Sequence, residues 1–155
     1  PATLLDTIRA AACYHATKKS LQLSFEIDPA LPGVLSGDDY WLQQILLNLV
    51  NNAIKFTDQG SVTVRLFPEG EERWVMQVED TGIGIPEEFH DRIFTAFEQV
   101  DGTSTRKGGG PGLGLSIVKQ LTDLMKGKIV LDSKQGAGTT FTVILPMHLP
   151  QENKA

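Results

Sequence analysis

The sequence predicts a two-layer α/β sandwich: a mixed, mainly antiparallel sheet of about five strands with three main helices on one face. Three observations lead there. Alternating apolar segments fall in close pairs, residues 61–67 with 74–80 and 128–132 with 139–145, so most strands pair as hairpins. That is not the regular βαβ alternation of a doubly wound parallel sheet, and helices layered on one face of a mixed sheet suit it better. A length of 155 residues, 41% hydrophobic and 21% charged, fits one domain with a single core.

The elements follow in order. Leu4, Leu5, Ile8, Ala11, Ala12 and Tyr14 recur at near-helical spacing over residues 3–18, with Thr3 as the expected N-cap and Asp6 three residues on. Residues 21–27 alternate strictly and read as a half-buried strand. After the turn cluster Pro29-Ala30-Leu31-Pro32-Gly33, Asp38 is the expected cap of a helix running to about Thr57. Asp58-Gln59-Gly60 closes it, and Glu69-Gly70-Glu71-Glu72 turns one hairpin strand into the next. Pro86 precedes a short helix at 87–94. Residues 101–112 have no periodicity, and a segment of that length in a compact domain is usually a lid or disordered. A helix at 113–125 follows, then two strands joined by Gly136-Ala137-Gly138. The domain is expected to span residues 1–147, with 148–155 a polar tail.

Composition excludes several classes. The net charge of −5, from 14 basic and 19 acidic residues, argues against a general nucleic-acid surface, which needs a basic stripe. Cys13 is the only cysteine, so no intramolecular disulfide and no cysteine metal cage can form. No apolar run reaches the roughly 18 residues of a membrane span, and no signal-peptide pattern opens the chain. A cytoplasmic setting without direct membrane contact is the expectation. The start at Pro1-Ala2-Thr3, inside a helical pattern and without an initiator Met, reads as a fragment of something larger, monomeric by itself.

Three segments carry chemistry. In the helix at 38–57, Leu42, Ile45, Leu46, Leu49, Val50, Ala53 and Phe56 form one apolar stripe, while Gln44, Asn48, Asn51, Asn52 and Lys55 lie opposite. A solvated face is the bland reading. Asparagine is a poor helix former, however, and its carbonyl oxygens suit a hard cation such as Mg²⁺. Asp80 ends a strand just before Gly82 and Gly84. Alone it would be a turn-capping residue; the functional reading has it accept a hydrogen bond from an exocyclic amine, with Ile83 and Ile85 giving apolar contact. Residues 108–115, rich in glycine, run into the next helix, where free N–H groups and the helix dipole favour an anion, with Arg106 and Lys107 at the entrance. Neither glycine segment contains G-x-G-x-x-G or the P-loop pattern.

These segments resemble the ATP-binding catalytic domain of two-component sensor histidine kinases, in the superfamily of gyrase-type ATPases and ninety-kilodalton chaperones. Residues 48–57 look like the family's N box, 80–85 its first glycine box, Phe94-Thr95-Ala96-Phe97 its F box, 108–115 its second glycine box and 136–141 its last. The resemblance runs from about Leu4 to Pro146. It implies a Bergerat fold, with ATP and Mg²⁺ as cofactors. Asp80 would bind the adenine amino group, with Thr139 nearby and Phe56 stacking on the base. Asn48 and Asn52 would share the Mg²⁺ and phosphate contacts. Lys55, Arg106 and the second-box glycines Gly110, Gly112 and Gly114, with Leu113 and Leu115 in the same box, would cradle the phosphates, while the first-box residues Gly82, Ile83, Gly84 and Ile85 would lie against the base. Phe94 and Phe97 would anchor a lid over residues 99–110, expected to be mobile without ligand. The implied partners are the dimerisation and phosphoacceptor domain of the same kinase and a response-regulator receiver domain.

Two departures stand out. Pro111 occupies a position where the family usually has Thr or Ser, which removes a hydroxyl and an N–H. The histidines His15, His90 and His148 lack the Ser-His-Glu-like context of a phosphoacceptor. The fragment should therefore present ATP without phosphorylating itself. The alternatives are a serine-directed kinase of the same superfamily and a non-catalytic nucleotide sensor.

Overall fold

A computed structural model of the chain describes residues 2–18, 20–31, 39–57, 59–84 and 113–147. The elements run α1 (Ala2–Lys18), β1 (Gln22–Ile27), α2 (Asp39–Lys55), β2 (Ser61–Glu69), β3 (Arg73–Asp80), α3 (Leu113–Leu124), β4 (Lys128–Lys134) and β5 (Gly138–Pro146). The strands form one five-stranded sheet in the order β1-β2-β3-β5-β4. β1 and β2 are parallel, bridged by the α2 crossover, and every other pair is antiparallel. The sheet is mixed and mainly antiparallel, with three helices among the described residues, as the sequence leads one to expect.

One face of the sheet carries the core. Val62, Val64 and Leu66 on β2, Trp74, Met76 and Val78 on β3, and Phe141, Val143 and Leu145 on β5 are buried at every second position, the period of a strand. Onto them pack Ile45, Leu46, Leu49 and Val50 of α2, with Leu5 and Ile8 of α1 and Val118 of α3 joining the same cluster. Each such side chain removed from water contributes about 1.5–3 kcal/mol. α2 is central: it packs against α1 on one side and α3 on the other.

The opposite face is polar in the middle. Arg65 of β2 reaches Glu79 of β3 (Nη1–Oε1 2.7 Å) and Glu26 of β1 (Nε–Oε1 3.2 Å), and Gln77 Nε2 donates to Thr142 Oγ1 of β5 at 3.2 Å. Exposed pairs of this kind contribute at most about 1 kcal/mol each. Their use is to fix register across four strands.

Several boundaries differ from expectation: α2 stops at Lys55, short of Thr57, β4 runs on to Lys134, and two others have a local reason. α1 already includes Ala2, so Thr3 lies within the helix and is not its cap. β2 continues through Pro68 to Glu69. The Leu66 carbonyl bonds toward the β1 side, to Asp28 N, and Pro68, two residues on, turns its missing N–H the same way. β1 has ended by then, its pairing stopping at Leu66, so no ladder bond is lost. The Asp38 cap, the short helix at 87–94, the lid segment and the tail lie outside the described residues.

Candidate functional site

Because β5 is inserted between β3 and β4, the end of β3 meets the start of β5, and Asp80 pairs with Thr139 across the ladder. The chain leaving β3 is then tied to three neighbours. Thr81 N donates to Ser61 O at 3.2 Å while Thr81 Oγ1 accepts from Ser61 N at 3.0 Å. Ile83 N donates to Phe56 O at the end of α2 (3.2 Å), and Gly136 N of the β4–β5 turn donates to Ile83 O (2.6 Å). Gly82 N closes a local turn on Asp80 Oδ1 at 2.8 Å.

The glycines of this segment answer to the protein's own backbone. A Cβ on Gly82 would collide with the Phe56 carbonyl oxygen, and one on Gly84, whose φ is +75°, with the Lys134 carbonyl. They allow the loop to lie flat against α2 and the β4–β5 turn, a closer constraint than approach to a ligand.

Between α2, α3 and the ends of β3 and β5 lies a cleft that opens to solvent. Asn52, Ala53 and Phe56 line it from α2, Ile83 and Gly84 from the loop, and Leu115 from α3. Asp80, Thr139 and Phe141 complete it from the sheet. The walls are mostly apolar and Asp80 is the one carboxylate among these lining residues.

Asp80 is buried, 7% exposed. Burial pushes its carboxyl above the ordinary aspartate range, opposed by the Gly82 and Thr139 backbone and by the Thr57 side chain, while Glu79 next door raises it further. The Thr57 hydroxyl is fully buried beside this carboxylate, outside hydrogen-bonding geometry. A carboxylate has about four acceptor positions, so Asp80 retains capacity for a donor arriving through the cleft.

The structure brings together Asn52, Phe56, Asp80, Ile83, Gly84, Leu115 and Thr139 from the sequence-derived set. Gly82 lies in the floor, as the donor to Asp80. Asn48 sits one helical turn before Asn52, and Asn52 Nδ2 donates to the Asn48 carbonyl at 3.1 Å. That bond uses one of the two amide hydrogens and holds the side chain with Asn52 Oδ1 as an oxygen donor of the type a hard cation takes. Lys55 is in the last turn of α2, its ammonium lowered by partial burial. Leu113 and Gly114 open α3. Ile85, Phe97, Arg106, Gly110 and Gly112 lie outside the described residues.

Ala53 and Phe141 line the cleft without having been singled out. Ala53 was counted in the core stripe, whose edge it occupies next to Asn52. Phe141 is two residues beyond Thr139 on the same face of β5, and the period of two could have found it.

Residues 37–149 match the family described as Histidine kinase-, DNA gyrase B-, and HSP90-like ATPase. The chain belongs to that family. Circadian input-output histidine kinase CikA of Synechococcus elongatus is 46% identical over 127 residues, 81% of this chain and 16% of that protein. Hybrid signal transduction histidine kinase B of Dictyostelium discoideum is 39% identical over 151 residues, 95% of this chain and 8% of that protein. Similar relatives thus occur in bacteria and eukaryotes alike. Among solved structures, full-length ShkA in complex with AMPPNP gives a TM-score of 0.85 at 32% identity, over 96% of this chain and 30% of that one. The nucleotide-free catalytic domain of histidine kinase ThkA gives 0.78 at 27% identity, over 94% and 93%. The chain is a histidine kinase ATPase catalytic domain. It spans 8% and 16% of the length of the two curated relatives described.

Proposed function

We propose that this domain binds Mg-ATP with its adenine at Asp80 and presents the γ-phosphate to a histidine carried by a separate dimerisation and phosphoacceptor domain. The observation that carries the reading is the buried Asp80 carboxylate at the floor of an apolar cleft. An ionised acceptor in such a place is costly unless something donates to it, and an exocyclic amine on a flat apolar base is a fitting donor. Phe56 and Ile83 offer apolar surface to the base, and Asn52, on the same wall of the cleft, marks the side where phosphates would lie. Bound Mg²⁺, held through Asn48 and Asn52, would neutralise phosphate charge. Lys55, one turn past Asn52, adds a cation there, and an anion beside it would offset the partial burial that lowers its pKa.

In the transfer itself the imidazole nitrogen of the acceptor bonds to the γ-phosphorus as ADP leaves. Such transfers depend on positioning and electrostatics more than on covalent help from the protein. This chain supplies the donor half, and the acceptor half comes from another domain of the kinase, with a receiver-domain aspartate as the onward acceptor. The setting we assign is cytoplasmic; among the described residues no helix is long and apolar enough to cross a membrane.

The test is a phosphotransfer assay with γ-labelled ATP and a dimerisation and phosphoacceptor domain from a hybrid histidine kinase added in trans. Label on its histidine is the expected result. Label on a serine would favour the serine-directed alternative, and nucleotide binding with no transfer would favour the sensor.

A further inference from the structure

The hydroxyl of Thr139 shares a hydrogen bond of 2.8 Å with Ser133 Oγ, a residue of β4 that does not line the cleft. Ser133 Oγ also stands 3.1 Å from the carbonyl oxygen of Gly138. Protons can be counted here. A carbonyl oxygen only accepts, so the bond to Gly138 uses the single hydroxyl hydrogen of Ser133. For both bonds to exist together, Thr139 must donate its own hydrogen to Ser133. The Thr139 oxygen then keeps only lone pairs for the cleft.

We propose that Ser133 is a positioning residue that fixes Thr139 as a hydrogen-bond acceptor, so that the base end of the cleft selects a nucleobase bearing an exocyclic amine over one bearing an oxo group. Thr139 pairs across the ladder with Asp80, and both line the cleft. Asp80 is an acceptor when ionised. Two acceptors set side by side match an amino group, which has two hydrogens to give, and oppose a carbonyl oxygen, which has none. Discrimination of this kind comes from leaving buried polar groups unpaired with the wrong ligand. If Ser133 is removed, the Thr139 hydroxyl is free to rotate and donate, and the opposition to an oxo group weakens. The inference deepens the nucleotide-binding reading and rests on it.

Titration calorimetry of Mg-ATP and Mg-ITP into the wild-type chain, Ser133→Ala and Ser133→Thr tests this, since the two bases differ in an amino against an oxo group, with N1 beside it an acceptor in one and an N–H donor in the other. The N1 difference is common to all three chains, so the change of ratio on mutation is the readout. Wild type is expected to prefer ATP. Ser133→Ala should reduce the ATP-over-ITP ratio about 5- to 10-fold, roughly one hydrogen bond's worth of discrimination, while Ser133→Thr, which keeps the hydroxyl, should retain it. An unchanged ratio in Ser133→Ala, or equal loss of both nucleotides, would give Ser133 a merely structural role and overturn the proposal while leaving nucleotide binding intact. A wild-type chain that binds neither nucleotide, or both equally, would bring down the amine-directed reading of Asp80 as well.

Discussion

Asp80 combines two conflicting demands in one side chain. Its carboxyl sits above the ordinary aspartate range because burial penalises the charge. Between the ordinary value and the raised one, the native state holds a proton that the unfolded chain has lost. Asp80's contribution to the stability of the free domain is therefore greatest below the ordinary value and falls as pH rises through the raised one. Asp80→Asn removes the charge and keeps an oxygen for Gly82 N. It should melt at higher temperature than wild type near pH 8, by on the order of 1 kcal/mol in stability, and lose that part of the pH slope. The same variant turns an amide N–H₂ toward the incoming amine, so ATP affinity should drop at least about tenfold. Thermal melts across pH, paired with ATP titration, check both halves; a variant no more stable at pH 8 than at pH 4, relative to wild type, would contradict the burial argument.

At the scale of elements, the loop after β3 is where α2, the sheet and the β4–β5 turn are joined, through Phe56 O, Ser61 and Gly136 N. Gly82→Ala pushes a methyl group into the Phe56 carbonyl oxygen. The expected cost is about 1–3 kcal/mol, the range for overpacking, measurable by denaturant unfolding, with the cleft distorted in proportion. The strands and helices around this joint were legible because alternation at 61–67 and 74–80 and the stripe of α2 are strong periodic signals. What was not legible has physical causes. Proline is a poor strand residue, so the extension through Pro68 could be understood only once β1 was seen to end earlier. A hairpin says that β4 and β5 are neighbours but not which strand takes the other side of β5, and on that insertion the meeting of Asp80 with Thr139 depends. The glycines at 82 and 84 were legible as close approaches, yet the approaching partner turned out to be the chain itself. Ser133 carried no signal at all, because a lone serine on an alternating strand becomes informative only when its two oxygen neighbours are known.

At the scale of the molecule, ligand binding and folding are linked. A nucleotide that binds the native cleft and not the unfolded chain stabilises the domain by about 2.7 kcal/mol at a hundred times its dissociation constant. Mg-ATP should therefore raise the melting temperature in a concentration-dependent way, and chelating Mg²⁺ should reduce the shift; a melting point indifferent to saturating Mg-ATP would refute binding at this site. The insertion of β5 has a further consequence in the order of synthesis. A ribosome that has released the chain only as far as β4 has made β1, β2 and β3, but the free edge of β3 still lacks its partner, and β4 has no strand beside which to dock. Thr139 and Phe141 do not yet exist, and Asp80 faces an open edge of the kind that invites wrong pairing. The pocket closes only once β5 is in place, so its occupancy doubles as a signature of a nascent chain that has been made at least as far as Pro146.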